Sequence, residues 1–154
     1  MIRRPLFATM AAVLLLLTLV TGSVLARPVY VFPTLMRGSS EVPGPGDANA
    51  IGHATIMIEP DNDRLCWIVS WNRIDGTVFA SHIHGPADTT QAAPVLIPLF
   101  MNEAFGSTGI NRGCMQSADV GPILDAIVAN PQMYYVNVHS LPDFGPGAIR
   151  GQLG

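Results

Sequence analysis

The sequence predicts an all-β fold, an antiparallel β-sandwich with one short helix. Short segments in which apolar and polar residues alternate recur along the chain. Frequent turns separate them, since 15 glycines and 13 prolines are spread over 154 residues. Short strands joined by such turns are typical of sandwiches. Only the segment that follows residue 118 has the periodicity of a helix.

The first 26 residues are predicted to be an export signal. Arg3 and Arg4 precede an apolar run over residues 11–20, and small residues at Val24 and Ala26 form a cleavage site. The run is shorter than the ~20 residues of a membrane span. Cleavage after Ala26 leaves one domain, residues 27–154, in the periplasm, the cell envelope or the medium. An uncleaved anchor is the alternative.

The charge of the chain excludes two classes of partner. Eight arginines, no lysine and eleven carboxylates give a net charge of −3. A mildly acidic chain with scattered arginines has no basic patch for nucleic acid or for anionic lipid. We therefore expect neither as a partner.

Seven segments are predicted strands because they alternate in polarity or form short apolar runs. Segments 51–58 and 65–71 flank a short turn and form a hairpin. Pro94 and Pro98 place the strand 94–100 at a sheet edge, where a missing backbone donor is tolerated. The other predicted strands are 27–36, 77–84, 133–140 and 148–153.

Between the last strands, the sequence predicts a long loop and the helix. Residues 101–117 contain three glycines and show no period, which favours an irregular loop. The helix is expected to begin near Asp119, a favourable N-cap, and to end before Pro131. Its apolar stripe consists of Ile123, Leu124, Ile127 and Val128.

Cys66 and Cys114 are predicted to form a structural disulfide. They are the only cysteines of the chain, and export places them in a compartment that permits oxidation. The bridge would close a loop of about 49 residues, worth roughly 3–4 kcal/mol in the chain-entropy model. Free thiols or soft metal ligands are the alternative.

His82 and His84 are candidate metal ligands. They lie two positions apart on the predicted strand 77–84, so their side chains share one face, with Cα atoms ~6.6 Å apart. Histidine is the commonest neutral metal ligand. His139 lies on a later predicted strand, which places Tyr135 and Asn137 on its face. His53 is expected on the surface.

Three histidines on two strands of one sandwich can form an N₃ site with an open position. Imidazole suits several transition metals, and the affinity order favours copper, with zinc as an alternative. Such a site is expected to lose its ion below pH ~6 as the rings protonate. The alternative is a buried, metal-free network of hydrogen-bonded histidines.

Asn137 and Tyr135 are candidate supports for the ligands. Arg150 attracts an anion to the site or pairs with a carboxylate such as Glu41.

Four blocks of sequence resemble the CHRD domain, which is repeated in the extracellular protein chordin and occurs singly in many secreted bacterial proteins. The resemblance covers residues 35–154 and implies an exported module. Ala148 departs from it, since many members have glutamate there. The blocks are Gly38-Ser39-Ser40-Glu41-Val42-Pro43, His82-Ile83-His84-Gly85-Pro86-Ala87, Tyr135-Val136-Asn137-Val138-His139-Ser140 and Gly147-Ala148-Ile149-Arg150-Gly151-Gln152-Leu153.

A looser resemblance connects the chain to the copper/zinc superoxide dismutases, which have a Greek-key, immunoglobulin-like sandwich. His82, His84 and His139 match three of their copper ligands. No histidine lies between His84 and His139, so the bridging and zinc-ligand histidines have no counterpart. The resemblance implies a Greek-key fold for this chain.

The sequence favours an exported binding module with a three-histidine copper or zinc site over an enzyme. No nucleophile elbow, phosphate loop or suitably spaced carboxylate pair supports a hydrolase. A copper redox enzyme of the dismutase type is one alternative. A metal-free structural domain of the cell envelope is the other. The expected partners are a metal ion and an extracellular protein or envelope component.

Overall fold

Eight antiparallel strands form the framework of residues 28–154, the part of the chain that this computed structural model describes. The predicted export signal lies outside the described residues. The strands lie in one hydrogen-bonded sheet in the order β5-β4-β7-β8-β1-β2-β3-β6. They are β1 Tyr30–Arg37, β2 Ile51–Glu59, β3 Arg64–Asn72, β4 Thr77–His84, β5 Val95–Phe100, β6 Gly109–Gln116, β7 Tyr135–Leu141 and β8 Phe144–Gln152.

The sheet folds into two four-stranded halves and nearly closes on itself. β1 and β8 join the halves at one paired position, Arg37 opposite Arg150. The chain builds β1, β2 and β3, crosses to the other half for β4 and β5, and returns for β6. It then crosses again for β7 and β8, which brings β8 back beside β1. The prediction of an all-β antiparallel sandwich is confirmed, and the crossings follow the Greek-key principle.

The β2–β3 hairpin shows why the alternating pattern predicts the core. Ile56 pairs with Trp67 across the two strands, and both side chains are buried in the shared apolar core. Residues of β2 at an odd number of positions from Ile56, such as His53, face outward, and His53 is exposed. One face of each half therefore packs inward while the other faces outward. The candidate site lies on the outer face of the second half.

Residues 101–117 do not form the predicted irregular loop. Their second part is β6, which pairs with β3 from Gly109 to Gln116. Gly109 and Gly113 lie opposite Trp71 and Trp67, and a β-carbon at either glycine would collide with the indole ring. These glycines make room for the tryptophans within a strand, although glycine in a sequence normally indicates a turn.

The disulfide connects the same two strands. Cys66 lies directly opposite Cys114 in the β3–β6 register, and the two are bonded, with Cα atoms 4.0 Å apart. The prediction of a structural disulfide is confirmed. It fastens the edge strand β6 to the rest of the first half.

The helix begins later than predicted. α1 runs from Gly121 to Ala129 with Val120 as its N-cap residue and without a side-chain cap, so the assignment of Asp119 as N-cap is wrong. Pro122 lies in the first turn, where a missing backbone N–H is tolerated. Leu124 and Ile127 are buried, as the apolar stripe predicts. Across residues 28–154, no helix has the length and apolar character needed to cross a membrane.

Candidate metal centre

The register of β4 with β7 brings the three predicted histidines together. His82 lies opposite Asn137 and His84 opposite Tyr135, and the same unbroken register places His139 opposite Ala80, next to the bulge between Val78 and Ala80. Alternate residues of each strand share a face, so the three imidazoles project on the outer side of the second half. Each histidine is only 6–7% exposed.

The ring nitrogens converge. His82 Nδ1 lies 3.0 Å from His139 Nε2, and one nitrogen from each of the three rings lies within 4.8 Å of the others. The His82 ring meets the His139 ring edge-on, with centroids 4.8 Å apart. The sequence-based expectation that His139 joins the His82–His84 pair is therefore met by the fold.

Backbone carbonyls orient two of the three rings. His84 Nδ1 donates a hydrogen bond to Ala93 O at 2.9 Å, and His139 Nδ1 donates to Gly145 O, also at 2.9 Å. A carbonyl oxygen only accepts, so each Nδ1 carries the proton and each Nε2 keeps its lone pair. An imidazole held in this way presents a defined nitrogen to a ligand.

Asn137 lies between these two rings. The end of its amide side chain is 3.0 Å from His84 Nε2 and 2.9 Å from His139 Nε2. Asn137 is 2% exposed. It therefore contacts the free nitrogens of both rings and belongs to the same buried cluster.

Tyr135 supports His84 from the side. Its ring stacks on the imidazole at a centroid distance of 4.8 Å, and the two planes are 2° from parallel. The Tyr135 hydroxyl accepts a hydrogen bond from Ala93 N at 3.1 Å. Tyr135 thus contacts both the ring of His84 and Ala93, the loop residue whose carbonyl accepts the hydrogen bond from His84 Nδ1.

Arg150 also packs on Tyr135, from β8, the neighbour of β7 on the side away from β4. Its guanidinium carbon lies 3.4 Å from the centre of the tyrosine ring. Nη1 donates to Gln91 O at 2.9 Å and Nη2 donates to Asp88 O at 2.7 Å. Two hydrogen bonds of Arg150 thus go to the loop over residues 86–94 and a third goes to Gln152 Oε1 at 3.2 Å, while Glu41 acts on it through charge.

Burial keeps the imidazoles neutral. It lowers the pKa of His82 to about 4, and the nearby His139 and His84 add to this because like charges repel. Burial also lowers the pKa of His84 and of His139. At neutral pH the cluster therefore holds three uncharged rings, which are able either to coordinate a cation or to hydrogen-bond to one another.

Sequence patterns do not indicate several groups that shape this site. Ala93 and Gly145 act through their backbone carbonyls, and a carbonyl has no side-chain signature. Asp88 and Gln91 likewise accept from Arg150 through the backbone. A polar loop after the histidine strand is the only trace of them in the sequence.

Comparison with known families agrees with this architecture. A family model for the CHRD domain matches residues 32–153, which span the region from β1 to the end of β8 and include all three clustered histidines. Searches of curated proteins and of solved structures return no significant match. The matched region covers most of the chain, which therefore belongs to the CHRD domain family.

Proposed function

We propose that this protein is an exported binding module that holds one transition-metal ion, preferably copper, on His82, His84 and His139. The convergence of three neutral ring nitrogens on the outer face of β4 and β7 carries the proposal. Neutral imidazoles are good ligands because the lone pair is available without the loss of a proton.

The spacing of the nitrogens supports a shared ion. Two nitrogens bound to one ion at about 2.0–2.1 Å lie between about 3 and 4 Å apart. His82 Nδ1 and His139 Nε2, at 3.0 Å, already have this separation. Since His139 Nε2 carries a lone pair, His82 Nδ1 donates in the metal-free protein, and coordination through Nδ1 requires the tautomer of His82 with its proton on Nε2. Since the whole set lies within 4.8 Å, the widest pair needs to close by less than about 1 Å.

The donor set favours copper. Three imidazole nitrogens without a carboxylate suit copper, zinc, nickel or iron, and not calcium or magnesium. Among divalent ions of the first transition row, copper has the highest affinity for such ligands. Zinc is the alternative, because it also accepts three histidines and a further ligand.

Export is part of the proposal. The Cys66–Cys114 disulfide suits an oxidising compartment, and membership of the CHRD family supports an exported module. The partner of the module is then an extracellular protein or a component of the cell envelope, with the metal ion as its ligand.

A redox enzyme of the dismutase type is less well supported. Such an enzyme needs an open ion and a positive group that guides its anionic substrate. The three histidines are nearly inaccessible, and Arg150, the cation of the site, is 1% exposed and donates to loop carbonyls. These contacts suit a protected ion better than a substrate channel.

Metal analysis tests the proposal. The chain over residues 27–154 is loaded with Cu²⁺ or Zn²⁺, desalted and analysed by mass spectrometry for metal content. We expect about one copper per chain, and none in the His82→Ala/His84→Ala variant. His53→Ala, which removes an exposed histidine from β2, is the matched control and should bind like the wild type. Equal, negligible copper in all three proteins would refute the metal site and leave a structural histidine network.

A further inference from the structure

The position of Asn137 determines which group hydrogen-bonds to the ligand nitrogens in the metal-free protein. A neutral imidazole has one N–H group and one lone pair. In His84 and His139, the N–H group is committed to Ala93 O and Gly145 O. Both Nε2 lone pairs are therefore left facing Asn137.

The two lone pairs require a donor. If the amide oxygen occupied this position, 3.0 Å from His84 Nε2 and 2.9 Å from His139 Nε2, a hydrogen-bond acceptor would face two other acceptors and no hydrogen bond would form. The nitrogen end of the same amide carries two hydrogens, one for each ring. The two ends of an asparagine amide have nearly the same shape, so their partners determine which end lies where. The hydrogen bonds thus place Asn137 Nδ2 towards the histidines.

We propose that the Asn137 amide is a latch on the metal site: it donates to both Nε2 atoms in the metal-free protein and competes directly with the ion. This inference rests on the metal function proposed above. Each Nε2 has a single lone pair, so an N–H donor and a metal ion exclude each other there. His82 Nδ1, 3.0 Å from His139 Nε2, also donates to the lone pair of His139 Nε2.

Burial explains why such a latch is needed. Asn137 and the three histidines are almost completely buried, and a buried polar atom without a partner costs about 1–3 kcal/mol. The amide satisfies His84 Nε2, which would otherwise be left unpaired whenever the ion is absent, and shares His139 Nε2 with His82 Nδ1. It thereby stabilises the metal-free fold and lowers the apparent affinity for the ion.

An affinity measurement tests the competition. Asn137→Ala removes the donor, and we expect copper, measured by competition with a chromophoric chelator, to bind at least about tenfold more tightly than to the wild type. Asn111→Ala, which removes an asparagine from β6 in the other half of the sheet, is the matched control and should leave the affinity unchanged. Equal or weaker copper binding by Asn137→Ala would overturn the latch.

A second measurement needs no metal. Nitrogen-15 NMR of the metal-free protein at pH 7.5 should show His84 and His139 protonated on Nδ1, with couplings across hydrogen bonds from Asn137 Nδ2 to both Nε2 atoms. Protonated Nε2 atoms, or the absence of both couplings, would overturn the latch whatever the metal result. If neither the wild type nor Asn137→Ala binds copper, the proposed metal function is refuted even when the couplings are present, whereas copper binding by Asn137→Ala alone would support the latch.

Discussion

Tyr135 lies flat on His84, with ring centres 4.8 Å apart and planes 2° from parallel. Arg150 also lies over the tyrosine ring, 3.4 Å from the ring centre. The imidazole and the guanidinium thus both stack on the phenol ring, on the outer side of β4, β7 and β8. The stack connects a candidate ligand to the loop that Arg150 holds in place.

Loss of the tyrosine ring should weaken metal binding. In Tyr135→Leu the His84 imidazole loses its stacking partner, and we expect copper affinity to fall about 10- to 100-fold, as for other residues that orient a ligand. Tyr135→Phe keeps the ring and is the control, expected within a few-fold of the wild type. Competition titration with a chelator measures both. Unchanged affinity in Tyr135→Leu would show that the stack does not position His84.

Removal of the Arg150 side chain should destabilise the fold. Arg150→Ala leaves the carbonyls of Asp88 and Gln91 without their donor and removes the cation–π contact with Tyr135. We expect the free energy of unfolding in urea to fall by about 3–5 kcal/mol.

The matched control for Arg150→Ala is the change of an exposed arginine. Arg112 lies on the outer face of β6 and is exposed, so Arg112→Ala should change the unfolding free energy by less than about 0.5 kcal/mol. If the unfolding free energy falls by the same small amount in both variants, the contacts of Arg150 do not hold the loop over residues 86–94.

Glu41 should make stability depend on pH. It is 8% exposed, and its Oε1 has no hydrogen-bond partner within residues 28–154. Burial raises the pKa of this carboxyl from 4.5 to about 7, although the charge of Arg150 opposes the rise. The folded state therefore binds the proton more tightly than the unfolded state. The favourable contribution of Glu41 to the free energy of unfolding is complete below pH 4.5 and is lost as the pH rises through 7.

Glu41→Gln tests this dependence, because glutamine keeps the shape without the charge. Urea unfolding of both proteins should give similar stabilities at pH 4.5, whereas at pH 8 the variant should be more stable, by on the order of 3 kcal/mol. The histidines contribute equally to both proteins and cancel in the difference. Glu103→Gln, at an exposed site, should show no such trend. If the difference in unfolding free energy between wild type and Glu41→Gln is the same at every pH, the buried Glu41 carboxyl does not cause the pH dependence.

The bound ion should persist to lower pH than an ordinary histidine site allows. The usual histidine pKa predicts loss below pH ~6, but burial lowers the pKa of His82 to about 4 and lowers those of His84 and His139 as well. Protons therefore compete with the ion only at greater acidity. We expect copper, followed by its absorption spectrum during an acid titration, to remain bound at pH 5.5 and to be released towards pH 4. Release centred on pH 6.5 would show that the rings behave as solvated imidazoles.

Local patterns explain how much of the fold the sequence predicts. Alternation along a strand is a property of neighbouring residues, so the buried face of β2 and the shared face of His82 and His84 follow from spacing alone. Glycine is ambiguous on the same local scale. Gly109 and Gly113 indicate a turn in the sequence, and only the tryptophans opposite them show that they belong to a strand.

The amino-acid sequence alone determined the all-β class, the disulfide pair, the family and the identity of the three histidines, because residue type and spacing encode these features. The tertiary structure decided that His139 meets His82, since the register between β4 and β7 is set by packing between distant segments. It also decided which nitrogens are free. Ala93 and Gly145 fix the protons of two rings through backbone carbonyls, and every residue carries a carbonyl, so only the folded chain shows which carbonyls reach a histidine.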